Sequence, residues 1–223
     1  MFGPGWKSNL RRPHEMKLQT VIAAAFLGLL LSVGSAHAQT EHSLTFSIHR
    51  DLPPDLVEQL KEKIEDILQH ASALMNENKC DVTFKLDSPI KLFTSNAPKD
   101  ISDKDDLEAV HREVADVKVV NSIAFCVGRK GTFSGCAWRR DGPKTVIVTI
   151  AKLLQFRGVL LAHEFGHTTG LVHRPEDDRL MNCEIQHFHR KITRTECSCF
   201  RAGPGGCKLP EPDPTFACAP SPQ

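Results

Sequence analysis

Residues 163 to 173 read His163-Glu164-Phe165-Gly166-His167-Thr168-Thr169-Gly170-Leu171-Val172-His173. Two histidines four residues apart on a helix share one face, about 5–6 Å from each other, and can converge on a single metal ion. Glu164 is turned off that face, so it can act on a metal-bound water without being a ligand. Gly170 stands where the helix must end, because glycine takes the left-handed conformation without a side-chain clash. The chain can then return His173 as a third ligand. Three neutral imidazoles leave a tetrahedral zinc ion one open position, filled by water whose pKa falls to about 7. Glu164 can take a proton from that water as it attacks a carbonyl and pass it to a leaving amine, serving first as base and then as acid. Even at this chain's own high histidine frequency, a chance match to five fixed positions in eleven has a probability on the order of 10⁻⁴, so coincidence is set aside. Three structural histidines buried without partners would be costly.

The elements that must hold these residues follow from periodicity. Alternation around Leu44, Phe46 and Ile48 predicts a strand over 43–49. Pro53-Pro54 opens a helix, in which Leu56, Leu60, Ile64, Ile67, Leu68, Ala71, Leu74 and Met75 form a core-packing stripe. A strand over 80–86 comes next, then an irregular stretch with a short helix over 105–114. Strands are predicted over 117–126, 131–139 and 145–150, with turns at 128–131 and 141–143. The motif helix should run over 153–169. Val159, Leu160, Leu161, Ala162 and Phe165 leave it little polar face, so it belongs in the interior. Gly158 and Gly166 each cost such a helix about 1 kcal/mol relative to alanine, which implies close approach of a strand or of the site's floor. Thr193 to Glu196 has capping-box spacing for a helix over 194–202 that stops at Gly203.

The eleven residues resemble the zinc-binding consensus of the metzincin metalloendopeptidases. A second feature is similar to that clan: Leu180-Met181-Asn182 corresponds to its Met-turn, whose methionine lies beneath the metal. The resemblance implies an α+β fold in a single domain. Its parts would be a twisted, mostly parallel sheet with an antiparallel edge strand, a long N-terminal helix, a buried active-site helix and a short C-terminal helix. It further implies that His163, His167 and His173 bind one catalytic zinc, that Glu164 is the general base and acid, and that Met181 forms the floor. A protein or peptide substrate would add as an extended strand along the edge near Ser134, Gly135, Cys136 and Ala137. A specificity pocket would lie between the motif helix and residues 181–189, which include Ile185 and Phe188. The chain has no tyrosine, which excludes the clan's variants with a Tyr after the methionine. The short loop ending in Leu-Met resembles the matrixin side, although no matrixin-type Cys-switch propeptide is evident.

Composition places this site in an exported domain. An apolar run from Val21 to Leu31 is too short to span a bilayer and leads to Ala36-His37-Ala38, a signal-peptidase pattern. Residues 1–38 therefore read as a cleaved signal, with Met16 a candidate true start, residues 39–203 as the metallopeptidase domain, and 204–223 as a Pro/Gly/Cys-rich tail. The twin-arginine pair Arg11-Arg12 stands too far from the apolar run to fit that export route. Of 28 basic and 27 acidic residues, the signal holds Lys7, Arg11, Arg12, Lys17 and Glu15, leaving 24 against 26, a charge of −2. Such a surface gives no case for nucleic acid or for a membrane anchor after cleavage, and a secreted or periplasmic monomer is expected. All eight cysteines lie in the mature part and read as disulfides, with Cys126 to Cys136 bridging a hairpin.

Weaker readings remain. Cys197-Ser198-Cys199 with His187 and His189 has metal-ligand types, but disulfides fit an exported chain better. Glu176-Asp177-Asp178 could bind structural calcium, yet it lacks EF-hand spacing and reads as a solvated loop. A competing class is a secreted binding module or inhibitor that keeps a structural zinc site. Glu164 argues against it, since a structural site needs no base and usually has four protein ligands. A zinc hydrolase acting on something other than peptides is the third reading.

Overall fold

A computed structural model describes residues 39–93, 96–137 and 144–207. The expected signal segment, the turn at 141–143, the end of the 131–139 strand and the tail from 208 onward lie outside the described residues. The domain mixes α and β structure around a five-stranded sheet. Its strands are β2 (Phe46–His49), β4 (Lys91–Phe93), β6 (Val117–Val120), β10 (Gly135–Ala137) and β11 (Val146–Thr149), in the order β10-β11-β6-β2-β4. The pairs β11–β6, β6–β2 and β2–β4 are parallel, and β10 runs antiparallel to β11, so the sheet is mostly parallel with an antiparallel edge, as expected.

Three predicted elements are divided in the structure, each for a local reason. The strand over 43–49 splits into β1 (Thr40–Leu44) and β2. At the break the Thr45 N–H and hydroxyl both donate to Asp116 Oδ2, at 2.8 and 2.6 Å, and β1 leaves to pair in parallel with β3 (Val82–Leu86). The strand over 117–126 splits into β6, β7 (Ser122–Ile123) and β8 (Phe125–Cys126). The Asn121 N–H donates to the Lys99 carbonyl at 2.7 Å, which turns the chain towards β5 (Asp100–Ile101), while β8 pairs with β9 (Arg129–Lys130). The motif helix over 153–169 is two helices. Arg157, with φ 49° and ψ −128°, breaks the chain between a seven-residue and a twelve-residue helix.

The long helix, α1 (Pro54–Glu77), buries Val57, Leu60, Ile64, Ile67, Leu68, Ala71, Leu74 and Met75. Leu56, expected on this stripe, is only half-buried, and Val57 takes its place. α1 and the motif helix share one core with the sheet face made by Phe46, Ile48, Val117, Val119, Val146 and Val148. The opposite face, with Cys136 and Ile147, packs on Leu107 and Val110 of α2 (Lys104–Arg112), which Asp103 caps by accepting from the Asp106 N–H. Lys118 is fully buried on that face. Its Nζ lies 3.4 Å from the His111 carbonyl, and burial pushes its pKa down to about 8.

The remaining helices are α3 (Ile150–Phe156), α4 (Gly158–Thr169) and α5 (Arg194–Ala202). The last starts from the predicted Thr193–Glu196 capping box and ends at Gly203. Cys126 pairs with Cys136 as expected, although the bridge joins β8 to β10 of a different sheet rather than crossing one hairpin; Cys80 pairs with Cys197 and Cys199 with Cys207. Cys197 and Cys199 thus keep no thiolate for the second metal site considered above. The Cys80–Cys197 bridge spans 117 residues, a separation worth about 4–5 kcal/mol in the chain-entropy account. Cys183 is also oxidised. Among the described residues, no helix is long and apolar enough to cross a membrane.

Candidate metal centre

α4 is buried along its whole length, so its polar side chains must find partners in the interior. His163 Nδ1 lies 2.7 Å from the Leu180 carbonyl and His167 Nδ1 lies 2.9 Å from the Leu171 carbonyl. A carbonyl only accepts, so each Nδ1 carries the hydrogen and each Nε2 presents a lone pair. Gly170 closes the helix in the left-handed region, at φ 107°, and the Leu171 N–H returns to the Gly166 carbonyl at 3.0 Å. The chain then turns back and brings His173 beside the helix.

The three rings meet at their Nε2 atoms. His167 Nε2 is 3.1 Å from Nε2 of both His163 and His173, and the three candidate ligand atoms all lie within 4.8 Å of one another. Two Nε2 lone pairs at this distance repel unless a cation lies between them. Burial pushes the His163 pKa down to about 4, so its ring does not supply that charge as a proton at neutral pH. Nitrogens bound tetrahedrally to zinc at about 2.0–2.1 Å stand about 3.3 Å apart, close to the observed 3.1 Å. The donor set therefore suits zinc: three imidazole nitrogens, with the tautomers of His163 and His167 fixed from behind by carbonyls. Among the described residues this triad is the cluster that could hold a metal; Asp178, from the acidic stretch considered for calcium, instead pairs with Lys191.

Glu164 is buried beside the triad, and burial pushes its pKa up to about 8. Its carboxylate lies directly against edge strand β10. A Cβ at Gly135 would overlap that carboxylate and stand 2.6 Å from Glu164 Cγ. Residues 135–137 are thus joined to the motif helix, and the Cys126–Cys136 bridge ties the same strand to β8. The carbonyl of Ser134 accepts from the Thr149 N–H at 3.0 Å. Met181 is buried under α4, where a Cβ at Gly166 would stand 2.7 Å from its Sδ and 3.2 Å from Cζ of Phe200. Met181, the residue expected to form the floor, thus approaches Gly166 closely. At Gly158 the close neighbour is helix α1, neither a strand nor Met181. Ile185 is half-buried against the main core, and Phe188 is 63% exposed.

Three features were not read from the sequence. The orienting carbonyls of Leu171 and Leu180 carry no side-chain signal. Arg174 forms an ion pair with Glu196, although only the capping role of Glu196 was legible. The segment after α5 caps α4: the Gly205 N–H donates to the Thr168 carbonyl at 2.8 Å and the Cys207 N–H to the Thr169 carbonyl at 3.1 Å.

No protein-family profile matches the chain, and no curated protein does. Solved structures similar to it include one described as a chaperone-substrate complex (TM-score 0.47, 13% identity, 75% of this chain and 34% of that one). An archaemetzincin from Methanopyrus kandleri is similar with a TM-score of 0.45 and 16% identity, over 76% of this chain and 97% of that one. The metalloproteinase-II of Bacteroides fragilis is similar with a TM-score of 0.43 and 13% identity, over 74% and 55%. The chain thus spans about a third of the first of these and about half of the third.

Proposed function

We propose that the chain is an exported zinc endopeptidase of metzincin type, in which His163, His167 and His173 hold one zinc ion and Glu164 moves the proton. The observation that carries this reading is the meeting of three Nε2 atoms beside a buried carboxylate at a sheet edge. Zinc, when bound there, supplies a Lewis acid that polarises a carbonyl and acidifies water. Glu164 accepts the proton of the attacking water and delivers it to the leaving nitrogen. Burial raises its pKa, and a nearby divalent cation draws it back down, so both protonation states come within reach near neutral pH.

β10 is an edge strand among the described residues, and its outer edge would offer backbone groups to an extended substrate strand at Ser134 to Ala137, the general geometry of strand addition. The pocket between α4 and residues 181–189, with Ile185, would select a side chain. Met181 would support the histidines from below, on the matrixin side of the clan. Removal of residues 1–38 would release a secreted or periplasmic monomer with a catalytic domain over 39–203, and the disulfides are consistent with an oxidising compartment.

The test is hydrolysis of an unfolded protein substrate by the mature chain. A chelator should abolish hydrolysis and added zinc should restore it. Undiminished hydrolysis at picomolar free zinc would contradict the reading.

A further inference from the structure

The three candidate ligands are not held equally. His163 and His167 stand on a buried helix, whereas His173 lies beyond the helix on an irregular segment and is only half-buried. Something must fix that segment if its imidazole is to meet the other two. The residue that follows it is Arg174. Its N–H donates to the Met181 carbonyl at 2.7 Å, and its Nε lies 3.3 Å from Oε1 of Glu196 on α5.

Glu196 is unusual for a capping residue. Its Oε2 accepts from the Thr193 N–H at 2.7 Å, which completes the capping box, and that bond needs one oxygen at a helix surface. Here the whole carboxylate is buried, at 2% exposure, and the second oxygen is aimed at Arg174. A buried carboxylate is costly unless a cation shares its site. Arg174 meets that need, with its own side chain 37% exposed. The helix that bears Glu196 is anchored in turn by disulfides through Cys197 and Cys199 on the same helix.

We infer that Arg174 and Glu196 are positioning residues for the third metal ligand: the buried Glu196 carboxylate, fixed on the disulfide-anchored α5, holds Arg174 and thereby sets His173 against His163 and His167. Neither side chain belongs to the triad that could hold the metal. This inference rests on the zinc reading above. Loss of a group hydrogen-bonded to a metal ligand weakens metal binding by about 10–100-fold, and Arg174 acts one step further out, through the backbone it shares with His173.

The test is zinc affinity, measured by competition with a chromophoric chelator on the mature chain and on its Arg174→Ala, Arg174→Lys and Glu196→Gln variants. Melting curves of the metal-free proteins should accompany it. Arg174→Ala should bind zinc about threefold to tenfold more weakly, below the range for a direct partner of a ligand, and Arg174→Lys, which keeps the charge and loses the planar fork, should recover part of that loss. The cobalt-substituted Arg174→Ala protein should show an altered visible absorption band. If Arg174→Ala fails to fold, Arg174→Lys and Glu196→Gln carry the measurement. Zinc affinity within twofold of wild type in the folded variants overturns the inference and leaves the zinc reading intact. A wild-type chain without measurable zinc affinity overturns both.

Discussion

Glu164→Gln should lower kcat for peptide hydrolysis by about 10²–10⁴-fold while one zinc ion per chain remains bound. The substitution keeps the size of a side chain that is buried against β10 and removes only its ability to take and return a proton. The ligands are untouched, so zinc affinity should change little. Stability adds a second signature. In the metal-free protein the native carboxyl holds its proton up to about pH 8, against an ordinary value of 4.5. The native state therefore binds more protons than the unfolded state across that window, and stability falls as pH rises through it. Glutamine has no such penalty. The metal-free variant should be more stable than metal-free wild type at pH 8, with the advantage gone near pH 4. Peptidase assays, metal analysis and melting curves at the two pH values check each part; full activity in the variant would remove Glu164 from the chemistry.

Gly158→Ala should destabilise the fold, against what helix propensity alone dictates. In a helix interior the change would be worth about 1 kcal/mol of added stability, and somewhat less at Gly158, the first residue of α4. Here a Cβ would overlap the backbone of Ala71 and stand 2.7 Å from the carbonyl carbon of His70, so helices α1 and α4 would have to separate. Backbone cannot yield as a flexible side-chain tip does, and overpacking of this kind costs about 1–3 kcal/mol or more. In a domain of this size the melting temperature should drop by about 2–12 °C. A thermal melt decides the sign: a higher melting temperature would mean that the two helices are free to move apart.

The legible parts of the molecule were those encoded in local chemistry. The spacing of His163, His167 and His173, the helix stop at Gly170, the capping box at Thr193 to Glu196 and the Cys126–Cys136 bridge are all short-range patterns, and all are present. The mostly parallel sheet with its antiparallel edge was also expected. What escaped depends on distant partners. Thr45 ends a strand because Asp116, 71 residues away in sequence, accepts both of its donors. The stretch from 117 to 126 is uniformly β-forming, and nothing local marks where it changes sheets. Arg157 breaks the predicted motif helix although arginine is a good helix former, at the point where Gly158 passes close to the backbone of α1. Arg174 and Glu196 are 22 residues apart and could be joined only by the fold.

The central claim is that the three histidines hold zinc, and anomalous scattering measured on either side of the zinc absorption edge, on crystals of the mature protein, tests it most directly. A single peak is expected between the Nε2 atoms of His163, His167 and His173, at about 2.0–2.1 Å from each. A zinc-loaded crystal with no peak there, or with its peak on other ligands, would contradict the account.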